Sequence, residues 1–189
     1  KNMKKLFFIS TLVLVFSCKN EEAKNVNDIV NEVKESTEVV AKEGKGKVVL
    51  TCNNKELIAE GVCGALVSMG ELIIAVKDRT NPAKVFTITC NGESYPENGK
   101  VYKIKSKDYT KDGIGSNDEV ALSFSEGLPN NKMNTWGSEN AKGTVQFTYN
   151  RNEVKCVLKN IVLSDSEMFN ADDLKSDGTI SGELTFYKN

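Results

Sequence analysis

Apolar and polar residues alternate along most of the chain, with a period of two that starts at residue 47. In the stretch EVALSFS (119–125), Val120, Leu122 and Phe124 are apolar, and the residues between them are small. A period of two puts successive side chains on opposite faces of a β-strand. The same pattern, broken by Gly, Asn and Pro, predicts strands at residues 47–52, 55–59, 71–78, 84–90, 100–105, 119–125, 143–150, 152–163 and 178–188.

These short strands each have one polar face, which is typical of antiparallel sheets rather than of fully buried parallel ones. No helical periodicity lies between them. We therefore predict an all-β domain over residues 47–189. The predicted architecture is an antiparallel β-sandwich, and an antiparallel β-barrel is the alternative.

The segment before this domain, residues 18–46, has a different pattern. It contains no aromatic residue and no proline, and Ile29 and Val33 belong to a stripe of apolar residues at helical spacing. Gly44 and Gly46 are interpreted as the end of the helical part. We predict a partly helical tether. A helix that packs on the domain or pairs with a second copy is the alternative.

The start of the chain has the organisation of a secretory signal peptide. Two lysines, Lys4 and Lys5, precede the apolar run LFFISTLVLVF (6–16), and a small residue follows it. A positive start, a short apolar region and a small residue are the three parts of such a signal. The run is shorter than the ~20 residues that a membrane-spanning helix needs. We predict a signal peptide over residues 1–17.

Cys18 follows this segment directly. The sequence VFSC (15–18) resembles the lipobox of bacterial lipoproteins, although Val15 stands where leucine is commonest. The resemblance implies that the Cys18 thiol carries a lipid that anchors the protein in a membrane. Lys19 is not the aspartate of inner-membrane retention, and CKNEE (18–22) resembles acidic export tags. We expect a lipid-anchored protein of the outer membrane, and the pattern leaves open whether it faces the periplasm or the cell surface.

Several β-segments also resemble a known group of proteins. LTCNNKELIAEG (50–61), GELIIAVKD (70–78), GTVQFTYN (143–150) and GTISGELTFY (178–187) are similar to segments of small, uncharacterised β-rich lipoproteins of the Bacteroidetes type. The resemblance implies a β-sandwich on a lipid anchor. It implies no activity.

Composition narrows the function classes. The chain has 189 residues, a formal charge of −1 and no histidine. Without an imidazole base, Ser-His-Asp and Cys-His catalysis are excluded, as are histidine-ligated metal sites. No basic stripe is present, so we expect no nucleic-acid partner. The options that remain for catalysis are carboxylate pairs, Ser-Lys pairs, tyrosine and an oxygen-ligated metal.

Four cysteines remain after Cys18, an even number that is typical of disulfides in an exported domain. Three connectivities are open. We favour Cys52–Cys63, which closes a short loop, together with Cys90–Cys156, which joins distant strands. Buried thiols are the alternative. The chain has no CxxC motif, so a redox enzyme is not expected.

The segment DYTKDGIGSNDE (108–119) resembles a calcium-binding loop. Asp108, Thr110, Asp112 and Glu119 fall at the first, third, fifth and twelfth positions, where oxygen ligands belong. Predicted strands rather than helices flank the segment, and a polar hairpin loop is the alternative. No other cofactor is expected.

The only tryptophan, Trp136, lies with Met133 in a polar segment, residues 128–142. An exposed indole beside asparagines can stack on a sugar or anchor a partner protein, so this segment is the candidate binding loop. The alternative is that Trp136 folds back and covers one end of the domain, since burial of a large aromatic side chain is strongly favourable.

From these features we expect a lipid-anchored envelope protein that displays a binding module for a protein or glycan ligand. An envelope inhibitor or immunity-type lipoprotein with a protruding loop at 128–142 is the alternative. A calcium- or carboxylate-dependent enzyme has the least support, and we expect no enzymatic activity.

Overall fold

The computed structural model of the protein describes residues 37–105, 115–139, 141, 143–166 and 169–189. Two short 3-10 turns lie at Pro129–Asn131 and Asp172–Leu174. The strands are β1 (Thr37–Val39), β2 (Ala41–Cys52), β3 (Lys55–Ser68), β4 (Glu71–Asp78), β5 (Lys84–Asn91), β6 (Val101–Ile104), β7 (Glu119–Leu128), β8 (Lys132–Gly137), β9 (Thr144–Asn150), β10 (Glu153–Asp165) and β11 (Gly178–Lys188).

The strands form one sheet that closes on itself. Neighbours follow the order β3-β2-β11-β10-β9-β6-β7-β5-β4, and β4 pairs with β3 to complete the ring. All neighbours in the ring are antiparallel except β6 and β7. The all-β prediction is confirmed, and the closed nine-stranded ring fits the barrel alternative, whereas the β-sandwich is not confirmed.

Strand β8 lies between β7 and β10, outside this nine-strand path. It pairs with β7 along its whole length, for example at Phe124 and Trp136, and Trp136 also pairs with Asp165 of β10. The short β6 and β9 fill the gap between β7 and β10 farther along the barrel. The connection between β7 and β10 is therefore made by β8 near one end of the barrel and by β6 and β9 near the other.

The interior of the barrel is occupied by side chains. Phe86, Phe124, Phe147 and Phe186 all have 0% exposed surface and point inward from four different strands. Each buried phenyl contributes roughly 1.5–3 kcal/mol relative to exposure in water. The outer surface of the barrel is therefore where a ligand can bind.

Strand structure begins earlier in the chain than the sequence pattern predicted. β1 and the first half of β2 lie within residues 37–46, which we had assigned to a partly helical tether. The glycines interpreted as a helix end belong to β2. A Cβ at Gly44 would lie 2.0 Å from the carbonyl oxygen of Thr185, so glycine permits the close approach of β11. The helical prediction is wrong for residues 37–46, and residues 1–36 lie outside the described part of the chain.

We call the two ends of the barrel the proximal end and the distal end. The proximal end is where the described chain begins at Thr37 and where Tyr95, Tyr149 and Lys188 lie. β2 runs from there to the distal end, where Cys52 and the β2–β3 hairpin lie. Trp136 and the segment Phe169–Asp177, which we call the strap, also lie at the distal end.

Candidate functional site

A groove of about 480 Å³ lies on the outer surface at the distal end. It runs between the first half of β3 and the loop that joins β4 to β5. Three carboxylates, two basic side chains, one hydroxyl and one apolar side chain form its walls: Glu56, Ile58, Glu60, Asp78, Arg79, Thr80 and Lys84. The volume falls in the range of small-molecule and peptide side-chain sites.

Asp78 shapes the groove by fixing the loop after β4. Its Oδ1 accepts hydrogen bonds from the backbone N–H groups of Thr80 (2.9 Å) and Asn81 (2.7 Å) and from the Thr80 hydroxyl (2.7 Å). Its Oδ2 accepts one from the N–H of Glu60 at 2.9 Å. The carboxylate is therefore a local backbone cap, which leaves it little capacity for a ligand.

The charge of Asp78 is strongly favoured in this position. Burial alone would raise the pKa of its carboxyl group, but the hydrogen bonds from Glu60, Thr80 and Asn81 outweigh it and lower the pKa to about 2. Asp78 thus remains ionised across the physiological pH range. It holds the adjacent Arg79 at the rim of the groove.

Arg79 is the groove's most available cationic group. Its side chain is exposed and crosses Gly61, where a Cβ would come within 2.9 Å of the Arg79 Cγ. The guanidinium makes no ion pair with any carboxylate in the described part of the chain. A guanidinium presents paired N–H donors that suit a carboxylate or a phosphate of a ligand.

The other charged groups of the groove are partly engaged. Lys84 Nζ lies 3.3 Å from Glu126, and both side chains are largely buried. Glu60 lies 2.9 Å from Lys47 Nζ on the open side of β3. Glu56 is exposed, and Ile58 gives the floor an apolar contact surface. The groove therefore suits a ligand with an anionic group for Arg79, hydrogen-bond donors for Glu56 and some apolar surface.

The predicted binding loop is largely part of the sheet. Residues 132–137 form β8, and Trp136 has 0% exposed surface. Its ring packs edge-on against Phe124, with centroids 6.4 Å apart, and its Nε1–H donates to the carbonyl of Ser176 at 3.0 Å. Met133 is half-buried. The interpretation of Trp136 as a ligand platform is wrong, and the alternative, that it closes one end of the domain, is confirmed.

The calcium prediction stays a prediction. Asp108, Thr110 and Asp112 lie outside the described residues. Glu119 begins β7, and its carboxylate lies 4.0 Å from Lys105 Nζ, where an ammonium group already balances part of its charge. Across the described ranges, no three acidic or thiol side chains are grouped closely enough to hold a metal ion.

The four cysteines are free, buried thiols in the structure. In the β2–β3 ladder Cys52 pairs with Lys55 and Cys63 pairs with Gly44, so the two thiols sit near opposite ends of it. Eight residues of strand span about 26 Å, far beyond the ~7 Å that a disulfide tolerates between Cα atoms. The predicted Cys52–Cys63 bond is therefore wrong.

The second predicted bond, Cys90–Cys156, is likewise not formed. Burial raises the pKa of Cys63, Cys90 and Cys156 to about 12, so these thiols stay protonated and unreactive at neutral pH. Cys52 instead lies 3.1 Å from the hydroxyl of Ser176 in the strap. The buried-thiol alternative describes all four.

The groove was not anticipated from the sequence. The segment KDRTNPAK (77–84) did contain a signal, because an aspartate followed by Thr and Asn two and three residues later is typical of a side-chain-capped turn. Nothing in that signal indicated that Glu56 and Ile58, some twenty residues earlier, would face the same turn. Their proximity depends on the β3–β4 register.

Comparison with known proteins adds no relative. No family model matches the chain, and neither the curated proteins nor the solved structures contain a match. Within the described residues, no helix has the length and apolar character needed to cross a membrane. Cys18, the predicted lipidation site, lies outside the described residues.

Proposed function

We propose that this protein is a lipid-anchored component of the outer membrane, of the small β-rich lipoprotein type, and that its β-barrel displays a binding surface for a protein or glycan ligand. The observation that carries the anchor is the position of Cys18, directly after a short apolar run and a small residue. The place of the Cys18 thiol in the sequence supports lipid attachment.

The geometry of the barrel supports display. The described chain begins at Thr37 at the proximal end, whereas the groove beside Arg79 lies at the distal end. An anchor joined through residues 19–36 therefore enters at one end, and the groove is at the other. Since side chains fill the interior, contact with a ligand takes place on the outside of the barrel.

The inhibitor alternative depended on a protruding loop at 128–142. Residues 132–137 belong to the sheet, so the argument for that role is lost. No catalytic role is proposed.

The anchor is tested by replacing Cys18 with serine in the full chain. We expect the wild type to fractionate with membranes and to incorporate a labelled fatty acid, and C18S to lose both properties. Cys52→Ser is the matched control, because Cys52 is a buried thiol within the barrel, and it should keep both. Labelling of C18S equal to that of wild type would refute the anchor.

The binding surface is tested separately with a photo-crosslinking residue at Glu56 on intact cells. We expect one specific crosslinked product that disappears in Arg79→Ala. Arg151→Ala, which removes the other arginine of the chain on the β9–β10 turn, should keep the product. A product that persists in Arg79→Ala would exclude this groove. Protease treatment of intact and lysed cells then decides whether the barrel faces the cell surface or the periplasm.

A further inference from the structure

Three buried polar atoms on β8, β10 and the strap have no hydrogen-bond partner among the atoms of the described residues. They are Thr135 Oγ1, Ser164 Oγ and Asn170 Nδ2. Ser164 and Asn170 are 7% and 4% exposed. A polar group buried without a partner costs about 1–3 kcal/mol, and most buried polar groups in folded proteins are paired with protein or with ordered water.

The fold makes the three residues that carry these atoms neighbours. Thr135 lies on β8, and its N–H donates to the side-chain oxygen of Asn170 at 2.6 Å, while its carbonyl accepts the N–H of Ser166 at 2.9 Å. Ser164 pairs with Gly137 on the same two strands, so Thr135 and Ser164 are diagonal neighbours. Diagonal neighbours have Cα atoms about 7–8 Å apart on one face of a sheet.

We propose that one ordered water molecule binds between Thr135, Ser164 and Asn170. The water accepts a hydrogen bond from Asn170 Nδ2 and exchanges hydrogen bonds with the two hydroxyl groups. Two to four polar partners are what a buried water requires. The inference does not depend on the proposed function.

The chemistry of the site selects water over an ion. The amide N–H₂ of Asn170 is a donor only, so it repels a cation. An anion would find donors here, but a buried charge needs a compensating opposite charge, and none of the three groups carries one. A neutral molecule that both donates and accepts satisfies all three groups.

The water would join β8, β10 and the strap. The neighbouring Asn134 already accepts the N–H of Ala171 at 3.0 Å, so the strap is held to β8 at two successive residues, Asn170 and Ala171. The N–H groups of Phe169 and Asn170 already donate to the carbonyl of Ser166, just after β10, and a shared water adds a connection to Ser164 within the strand. It therefore fixes the strap beside the buried Trp136.

The test is the effect of Ser164→Ala and Thr135→Val on the urea unfolding equilibrium of the full chain in mild detergent. If the hydroxyls bind the water, each variant raises the unfolding equilibrium constant about threefold to tenfold. If the hydroxyls are truly unpaired, removing either one lowers the constant, which overturns the proposal. Ser125→Ala, a half-buried serine opposite Thr135 on β7, is the control and changes the constant less than twofold.

Three further readouts separate one water from other arrangements. In the double variant, loss of a shared water predicts a combined effect smaller than the product of the two single effects, whereas a full product indicates separate partners and overturns the proposal. Magnetisation transfer from water to the Asn170 side-chain amide should show a long-lived contact. A crystal structure with Ser164 Oγ bonded to a backbone carbonyl would also overturn it.

Discussion

The two ends of the barrel are closed by different chemistry. At the distal end the closure is apolar: Trp136 is fully buried against Phe124, and its one polar atom is satisfied by the strap at Ser176. At the proximal end two tyrosines close the barrel with their hydroxyl groups, Tyr95 donating to the carbonyl of Val40 and Tyr149 to that of Pro96.

The proximal closure is also more polar around the rings. The Lys188 ammonium lies 4.1 Å from the centre of the Tyr149 ring and 5.7 Å from that of Tyr95, and both tyrosines remain partly exposed. An ammonium over an aromatic face is stabilising but modest at an exposed site. We infer that the distal end contributes more to the free energy of unfolding, and that the proximal end mainly fixes where the chain enters the barrel.

The strongest test of this difference is Trp136→Ala. Loss of the buried indole leaves a cavity beside Phe124, and we expect the free energy of unfolding to fall by about 3–5 kcal/mol in urea titrations. Trp136→Phe keeps most of the packing and removes the hydrogen bond to Ser176, so a smaller loss is expected. An alanine variant within 1 kcal/mol of wild type would show that the indole does not support the distal end.

Acid provides the second test, because Asp78 lies at the distal end. The pKa of its carboxyl group is lowered from 3.8 to about 2 in the folded state, so the folded form binds the proton less readily than the unfolded form. The stabilisation is complete above about pH 4 and is lost as the pH falls toward 2. We expect a loss of about 1–2 kcal/mol over that window in wild type.

Substitutions at the same turn sharpen the acid test. Asp78→Asn removes the titrating group and should flatten the dependence between pH 4 and 2. Thr80→Val removes one of the hydrogen bonds that favour the charge and should reduce the dependence without abolishing it. If the free energy of unfolding falls equally between pH 4 and 2 in wild type and in Asp78→Asn, the assignment of this pH dependence to Asp78 is contradicted.

The third test concerns the proximal end and alkaline pH. Tyr149→Phe removes the hydroxyl that donates to Pro96, and we expect a loss of about 1 kcal/mol at neutral pH. Tyr187→Phe, on an exposed ring, is the control and should change the free energy of unfolding by less than about 0.5 kcal/mol.

Tyr149→Phe should also change how the free energy of unfolding depends on pH above pH 10. Burial, with the nearby Tyr102, Cys90 and Tyr95, raises the pKa of Tyr149 to about 12, so the unfolded state releases its proton first and stability falls from pH 10 to 12. The pKa values of the buried Cys63, Cys90 and Cys156 thiols are also raised. They therefore lower the stability of the protein over an overlapping pH range that starts near pH 9. The alkaline limb of Tyr149→Phe should therefore be shallower than that of wild type but not flat.

The smallest effect is expected from reducing agent. Because the four cysteines of the barrel are free thiols, dithiothreitol should change the free energy of unfolding by less than about 0.5 kcal/mol, whereas loss of a native disulfide typically costs about 2–5 kcal/mol. Alkylation before and after denaturation counts the accessible thiols. We expect all four to be modified only in the unfolded chain. A stability drop on reduction would show that the barrel contains a disulfide.

Local pattern predicted much of the fold. The alternation of Val120, Leu122 and Phe124 placed the correct face of β7 inward, and the all-β class followed from many such segments. Ring closure could not be predicted, because it requires β11 to pair with β2, and such a long-range pairing leaves no mark in either strand alone.

The errors have specific causes. Gly44 looked like a helix end, yet glycine there serves the close approach of β11. Polar neighbours made the segment around Trp136 the candidate binding loop, but alternate residues of β8 face opposite sides of the wall. The groove forms because the pairing register of β3 and β4 brings Glu56 and Arg79 to the same place, and the sequence does not show that register. For the anchor, by contrast, Cys18 and its preceding residues carry the whole prediction.

The measurement that tests the display proposal most directly is the height of each barrel end above the membrane. The full lipidated chain would be reconstituted in vesicles with a fluorescent donor at Lys132→Cys (distal) or Glu93→Cys (proximal), both exposed positions, and acceptors on the lipid headgroups. The buried thiols should stay unlabelled. The account predicts clearly stronger energy transfer from the Glu93 position, and equal or stronger transfer from the Lys132 position would contradict it.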